Sequence, residues 1–344
     1  MPVALVTGAT GLVGSHIIER LVRDGWAARA LVRDAPRAEW LRALGAELVS
    51  GDVLDADSMI AAARGCTAIF HTAALIAPTG GWNAFHAVNI GGTSNAISAA
   101  ERSGARLLQL SSVAVYGSSQ RYRSTPTDES IELPPIREDN YYARSKRESE
   151  ELVVSAHRSG RIWAVAVRPD VIYGQRDRQF IPRAARLFRI GVVPLINGGR
   201  SKMAIVHAAN VADGAVRAVR CDAAGGRSYN LANDYDVTVA DFVRLGATGL
   251  GKRVLTPSVP RGVAAAVLGS VGTVGELFTG KGLAAHAEST LNFLSRDNPF
   301  SSERARAELS WSPPVRPEVG IPEAFRWWKE HRAQAGHGRS SRAH

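Results

Sequence analysis

Tyr142 and Lys146 stand four residues apart in Tyr142-Ala-Arg-Ser-Lys146, a spacing that puts both side chains on one face of a helix. A tyrosine hydroxyl is a poor base at neutral pH because its ordinary pKa is about 10. A neighbouring ammonium favours the phenolate and lowers that value. In the reducing direction the same hydroxyl would give its proton to a developing alkoxide. The Lys would also reach ribose hydroxyls. A third group should hydrogen-bond the carbonyl oxygen, and Leu110-Ser-Ser-Val-Ala-Val-Tyr-Gly117 offers Ser111 or Ser112 just after an apolar run. A Tyr and a Lys one turn apart are most often only a solvated pair. They gain weight from a nucleotide-binding turn far upstream.

That turn is Val3-Ala-Leu-Val-Thr-Gly-Ala-Thr-Gly-Leu-Val-Gly14, where Gly8, Gly11 and Gly14 repeat at intervals of three between a strand pattern and a helix pattern. Glycines let backbone approach a pyrophosphate, and the helix N-terminus supplies N–H groups and a positive dipole end. Gly8, Thr10, Gly11, Leu12, Val13 and Gly14 are therefore candidate cofactor contacts. A lone glycine triplet is weak; strand, turn and helix in register make it strong. The second strand ends Ala30-Leu-Val-Arg-Asp34. Arg33 stands nineteen residues after Gly14, where an Arg suits a 2′-phosphate and an acid suits a free 2′-hydroxyl. The reading favours NADP(H) over NAD(H), although a one-residue slip would bring Asp34 into place and reverse it.

The elements that must carry these residues alternate. Strand patterns at Val3–Val6, Ala27–Val32, Glu47–Ser50, Ala68–His71, Leu107–Ser111 and Trp163–Arg168 are separated by helix patterns at Ser15–Asp24, Trp40–Leu44, Ala56–Ala63, Phe85–Ser103 and Tyr141–His157. This predicts an α/β Rossmann fold, a doubly wound parallel sheet. After Pro169 the rhythm breaks, with later helix patterns at Asp213–Arg220, Asp241–Leu250 and Ser301–Leu309. The expected division is a dinucleotide-binding domain over 1–170, a smaller C-terminal α/β substrate-binding region over 171–332 interleaved with the core, and a disordered tail over 333–344.

Composition sets the outer limits. The 344 residues are 45% hydrophobic and 22% charged, enough for a sizeable core. Two cysteines, Cys66 and Cys221, make no disulfide framework, which favours a reducing, cytoplasmic setting. The net charge of +10 attracts anions. Aromatics are only 7% and do not interleave with the basic stretches, so nucleic acid is not an expected partner. Histidines are scattered without metal-ligand spacing, and no metal is expected. Gly246-Ala-Thr-Gly-Leu-Gly-Lys252 imitates a P-loop, but Arg253 stands where Ser or Thr is required. No apolar run is long enough to span a membrane. The uncharged stretch Gly262–Gly275 leaves peripheral membrane contact open beside a capping helix.

Taken together, these motifs resemble the extended branch of the short-chain dehydrogenase/reductases, the NAD-dependent epimerase/dehydratase family. The resemblance runs to about Lys329. It rests on TGATGLVG at 7–14, Asp52-Val53, His71-Thr-Ala-Ala74, Val88-Asn89, SSVAVYG at 111–117, YYARSK at 141–146, Arg168-Pro-Asp-Val-Ile-Tyr-Gly174, Val206–Asp213, Tyr229–Asn233 and Ala307–Trp311. It implies Tyr142 as acid/base, Lys146 as its electrostatic and ribose partner, and Ser112 rather than Ser111 as the carbonyl ligand. It also implies Asp52 and Val53 beside adenine, Ala73 on the nicotinamide side, Pro169 and Ile172 at the carboxamide, and Asn89 as structural support. His207 falls between the cofactor and substrate regions, with a core histidine as the alternative.

Within the family, Ala30–Asp34 is similar to NADPH-linked ketone reductases of the dihydroflavonol type. Gln179–Arg183 and Pro194–Gly199 are more like 3β-hydroxysteroid dehydrogenase relatives. The implied activity is reduction of a ketone, or oxidation of a secondary alcohol, on a hydrophobic small molecule. Seven basic residues between Arg176 and Lys202 against one acid, Asp177, are expected to face the cleft and meet an anionic handle. The alternatives are a sugar-nucleotide epimerase with tightly held NAD, and a non-catalytic dinucleotide-binding module. The family's habit implies a homodimer through the Phe85–Ser103 and Tyr141–His157 helices.

Overall fold

The computed structural model describes residues 1–76, 81–117, 126–267 and 290–340. Its centre is a seven-stranded sheet made of β1 (Val3–Thr7), β2 (Ala27–Val32), β3 (Ala46–Ser50), β4 (Ala68–His71), β5 (Arg106–Leu110), β6 (Ala164–Pro169) and β10 (Ser228–Leu231). The spatial order is β3-β2-β1-β4-β5-β6-β10, and every pairing is parallel. Parallel strands covered on both faces read as near-continuous apolar runs, and β1 and β6 do.

Period-two alternation sorts those runs between two cores. Ala4, Val6, Phe70, Leu108, Val165 and Val167 point into one. Leu5, Ile69, Leu107 and Ala164 point into the other. The first face is closed by α1 (Leu12–Arg23), α8 (Ala208–Arg220) and α10 (Glu303–Leu309), and Arg20 of α1 pairs with Asp213 of α8. The second is closed by α3 (Ala56–Ala63), α5 (Gly92–Ser103) and α6 (Tyr141–Arg158). Burying each large aliphatic or aromatic side chain contributes about 1.5–3 kcal/mol.

Two small additions complete the C-terminal region. Strands β7 (Val171–Tyr173) and β9 (Ile205–His207) pair in parallel, as do β8 (Leu195–Ile196) and β11 (Ser258–Val259). A separate core of Tyr173, Ile181, Phe188, Phe242 and Phe325 lies among α7 (Phe180–Leu187), α9 (Val239–Leu250) and α11 (Pro317–Ser340). Because β10 and α8 return to the main sheet, the C-terminal half folds into the first rather than beside it.

Two expectations differ from the structure. The helix expected from Phe85 starts earlier, as α4 (Gly81–Phe85), and passes through a π turn at His86–Gly91 before α5. The side chain of Asn89, inside that turn, bonds the backbone of Leu75 and the Ser145 hydroxyl, and such bonding holds the wider turn open. Helix α11 continues to Ser340, past the expected tail boundary at 333, because Arg332-Ala-Gln-Ala335 are good helix formers. The remaining tail, 341–344, lies outside the described residues. So does most of the Gly262–Gly275 stretch, of which only residues 262–267 are described, in a helical segment.

Candidate active site

The cleft lies beyond the carboxyl ends of the strands, where the strand order reverses between β1 and β4. Open parallel sheets bind ligands there. It has a volume of about 1120 Å³. Each successive strand delivers one part of it: Gly8 after β1, Arg33 after β2, Asp52 after β3, Ala73 after β4, Ser112 after β5 and Asp170 after β6. Gly8, Thr10, Gly11, Leu12, Val13, Gly14, Arg33, Asp52, Val53, Ala73, Ser112, Tyr142, Lys146, Pro169 and Ile172 all line this one space.

The glycine turn is fixed by close backbone approach. Gly8 has φ +64°, and a Cβ there would lie 2.7 Å from the Ala73 amide nitrogen. A Cβ on Gly14 would lie 2.4 Å from the Gly8 carbonyl oxygen. The Gly11 amide donates to that same oxygen at 2.8 Å, closing the turn. No side chain caps α1 at Gly11, and no acid stands in its first turn. Its N-terminal amides are thus presented to the cleft beside a positive dipole end, the environment a diphosphate requires. The residues present fit a dinucleotide.

After β2, Arg33, Asp34 and Arg37 are exposed and line the cleft. The Asp34 carboxylate accepts from the Arg37 amide at 3.1 Å as the cap of α2 (Ala35–Ala38), and pairs with the Arg37 guanidinium at 3.2 Å. Capping therefore engages the acid, while Arg33 carries a positive charge beside it. The Asp52 carboxylate accepts from the Leu54 amide at 3.1 Å and shapes the loop after β3.

The catalytic candidates meet at the other end. Tyr142 is half-buried near the start of α6, whose N-cap is Asn140, accepting from the Ala143 amide at 3.2 Å. One turn on, Lys146 is 3% exposed and its ammonium donates to the Leu110 carbonyl. Burial pulls its pKa down to about 8, against the opposing charge of Glu150. The two serines separate. Ser111 is buried and donates to Glu150, whereas Ser112 is half-buried and accepts from the Ala114 amide at 3.1 Å.

Glu150 was not signalled by any sequence motif. Its spacing from Lys146, one further turn on the same face, was the available sign. It is the hub of a buried network with Arg168 (Nε at 3.0 Å), Ser111 and Ser228, and Arg168 donates on to the Tyr116 hydroxyl at 2.8 Å. Burial pushes the Glu150 carboxyl up, but the Arg168 charge and these hydrogen bonds together hold it below the ordinary carboxylate range. The network ties β5, β6 and β10 to α6 through Ser111, Arg168 and Ser228.

The basic stretch is a correction. Of the seven cations between Arg176 and Lys202, only Arg176 and Arg178 line the cleft. Arg176 adopts φ +70° and reaches back to α1, donating to the Ser15 hydroxyl at 2.9 Å and pairing with Glu19 at 2.7 Å. Arg183, Arg186, Arg189 and Arg200 are exposed, and Lys202 pairs with Asp236 at 2.6 Å. Helix packing decides this, since α7 buries Ile181, Ala184 and Ala185 and must turn its arginines outward. Gln179 and Phe180, at the start of the Gln179–Arg183 stretch, line the cleft, as do Leu54, Leu75 and Ile76, which the sequence did not single out. His207 caps α8 and packs on His16 and Tyr173; burial, with the Arg176 charge nearby, lowers both histidine pKa values to about 3, and His16 adds to the effect on His207. Among the described residues no group of three or more His, Cys, Asp or Glu could hold a metal, and no helix is long and apolar enough to cross a membrane.

Comparison with known proteins agrees with this architecture. Residues 4–232 match the model of the NAD dependent epimerase/dehydratase family. A 4-hydroxy-2-methyl-3-oxo-4-farnesyl-3,4-dihydroquinoline-1-oxide ketoreductase of Stigmatella aurantiaca is 28% identical, with 92% of this chain and 93% of that protein covered. A 2-alkyl-3-oxoalkanoate reductase of Shewanella oneidensis is 28% identical over 92% of this chain and 84% of its own. Among solved structures, UDP-glucuronic acid 4-epimerase from Bacillus cereus in complex with NAD shares the fold, with TM-score 0.72, 16% identity and coverage of 96% of this chain and 99% of that one.

Proposed function

The chain belongs to the NAD-dependent epimerase/dehydratase family and is an NAD(P)-dependent oxidoreductase, and from that premise we propose that it is an NADPH-linked ketoreductase acting on a hydrophobic ketone with an anionic group. The observation that carries the reading is the meeting of Tyr142, Lys146 and Ser112 at the end of a cleft whose far end is a glycine turn with Arg33 beside it. The two curated relatives described above are named as reductases of ketones, one bearing a farnesyl chain and one an oxoalkanoate. When bound, the dinucleotide supplies a hydride to the carbonyl carbon.

The chain's own residues do the rest. Gly8, Thr10, Gly11, Leu12, Val13 and Gly14 hold the diphosphate on amides and dipole, while Asp52 and Val53 border the adenine. Arg33 takes the 2′-phosphate, since Asp34 is engaged in its cap. Ala73, Pro169 and Ile172 border the nicotinamide. Ser112 accepts an amide N–H through its oxygen and so keeps its own proton for the substrate carbonyl. Tyr142 donates its proton to the oxygen as negative charge develops there. Lys146, buried and cationic below pH about 8, stabilises the resulting phenolate and orders the ribose. Arg178, exposed at the other edge, meets the anionic group. A homodimer through α5 and α6 is the assembly we propose.

The test is NADPH consumption with a panel of apolar ketones and 3-oxoacids. NADPH-dependent reduction is expected, and faster than with NADH. The sugar-nucleotide epimerase alternative predicts instead that the purified protein carries NAD and interconverts a UDP-sugar without net cofactor turnover.

A further inference from the structure

The C-terminal region also turns an exposed face to solvent beside the cleft wall. Helix α7 buries Ile181, Ala184 and Ala185. On its opposite side Arg183, Arg186, Leu187 and, just past the helix end, Ile190 recur at the i, i+3, i+4, i+7 spacing of a single stripe. Leu187 is 59% exposed and Ile190 81%. Arg189 is exposed between them. A second segment lies against the end of this stripe. The Leu255 amide donates to the Gly191 carbonyl at 2.8 Å, and the Val193 amide donates to the Leu255 carbonyl at 2.8 Å. The ammonium of Lys252 donates to the Phe188 carbonyl at 3.1 Å. Leu255 is 71% exposed. Neither 178–196 nor 251–261 contains an acidic residue.

Exposed aliphatic side chains grouped on one face and rimmed by charges mark an interaction surface. Three features select it. The apolar groups are aliphatic, whereas protein interfaces favour aromatic anchors. The flanking charges are all positive. A symmetric contact with a second copy would set these cations against themselves. A bilayer with anionic headgroups satisfies both halves of the face, since apolar side chains enter the headgroup–acyl boundary while cations meet lipid phosphates. We propose that this stripe docks the protein on an anionic lipid surface through Leu187, Ile190 and Leu255, with Arg183, Arg186 and Arg189 on the phosphates.

The placement has a consequence. Arg178, Gln179 and Phe180, which lead into α7, line the cleft. Docking through α7 brings the cleft mouth to the membrane, where an apolar ketone is dissolved. That delivery step rests on the ketoreductase reading; the docking itself does not.

Flotation of the full chain with phosphatidylcholine vesicles, with and without phosphatidylglycerol, separates the two. The protein is expected to float with phosphatidylglycerol present, to stay behind with phosphatidylcholine alone, and to be released by high salt. L187S/I190S should cut vesicle binding about tenfold or more, and R183E/R186E by a similar factor. Both variants should keep wild-type NADPH oxidation on a water-soluble ketone, since none of the four side chains lines the cleft. No flotation of the wild type, or flotation undiminished in both variants, overturns the proposal. So does a shift from dimer to monomer in L187S/I190S without any vesicle binding, which would make this face a subunit interface. If the protein floats but reduces no ketone, the docking stands and the ketoreductase reading falls.

Discussion

The two walls of the cleft are made of different material. The wall at the ends of β1 and β4 is backbone, where Gly8, Gly14 and Ala73 approach so closely that one added Cβ would collide with main-chain atoms. The wall from Val171 to Phe180 is side chain, and its cations are divided between cleft, helix α1 and solvent. Where backbone touches backbone, sterics dictate residue type. Where side chains form the surface, many residue types fit and their direction is set by the packing behind them. The dinucleotide half should therefore tolerate almost nothing, and the substrate half should tune rather than fail.

The sharpest break is expected at the junction of the walls. Tyr142→Phe should lower turnover about 10²–10⁴-fold, with NADPH binding by fluorescence titration unchanged. Turnover within a few-fold of wild type would remove Tyr142 from the chemistry. The halves are then contrasted directly by two arginines. Arg33→Ala should weaken NADPH about tenfold or more and leave NADH nearly unaffected, because a charge-assisted hydrogen bond to phosphate is lost. Arg178→Ala should leave both cofactors unchanged and raise KM for a carboxylate-bearing ketone about threefold, the modest effect of an exposed charge. Equal weakening of NADPH and NADH by Arg33→Ala would place cofactor selection elsewhere.

The smallest effect concerns pH. Lys146 holds its proton below about pH 8 and loses it above, so ketone reduction should decline on the alkaline side with a limb near that value. Glu150 is the neighbour whose charge raises the Lys146 pKa. Glu150→Gln should therefore move the limb to lower pH, and Arg168, left without its anionic partner, pushes the same way. A limb that stays in place would confine Glu150 to tying strands together.

Much of the dinucleotide half was legible before any coordinates. The apolar strand runs, Gly8-x-x-Gly11-x-x-Gly14 and Tyr142/Lys146 each obey a local rule of spacing. Ser111 and Ser112 both line the cleft, and what tells them apart is not local: the Ser111 hydroxyl donates to Glu150, thirty-nine residues away. Asp34, the rival to Arg33 in the sequence, accepts from the Arg37 amide as the cap of α2, a role its neighbour's charge does not reveal. The arginines after Asp177 looked like one basic wall and were parted by the apolar face of α7.

By itself the sequence determined the parallel sheet, the tight turn after its first strand and the helical pairing of a phenol with an ammonium, since each follows from sterics or periodicity within a few residues. Only the tertiary structure decided which serine hydroxyl is engaged by a buried acid, which arginines reach the cleft and that Glu150 is that acid. Those outcomes depend on partners distant along the chain, and burial makes an unpaired charge so costly that the fold must assign every partner at once.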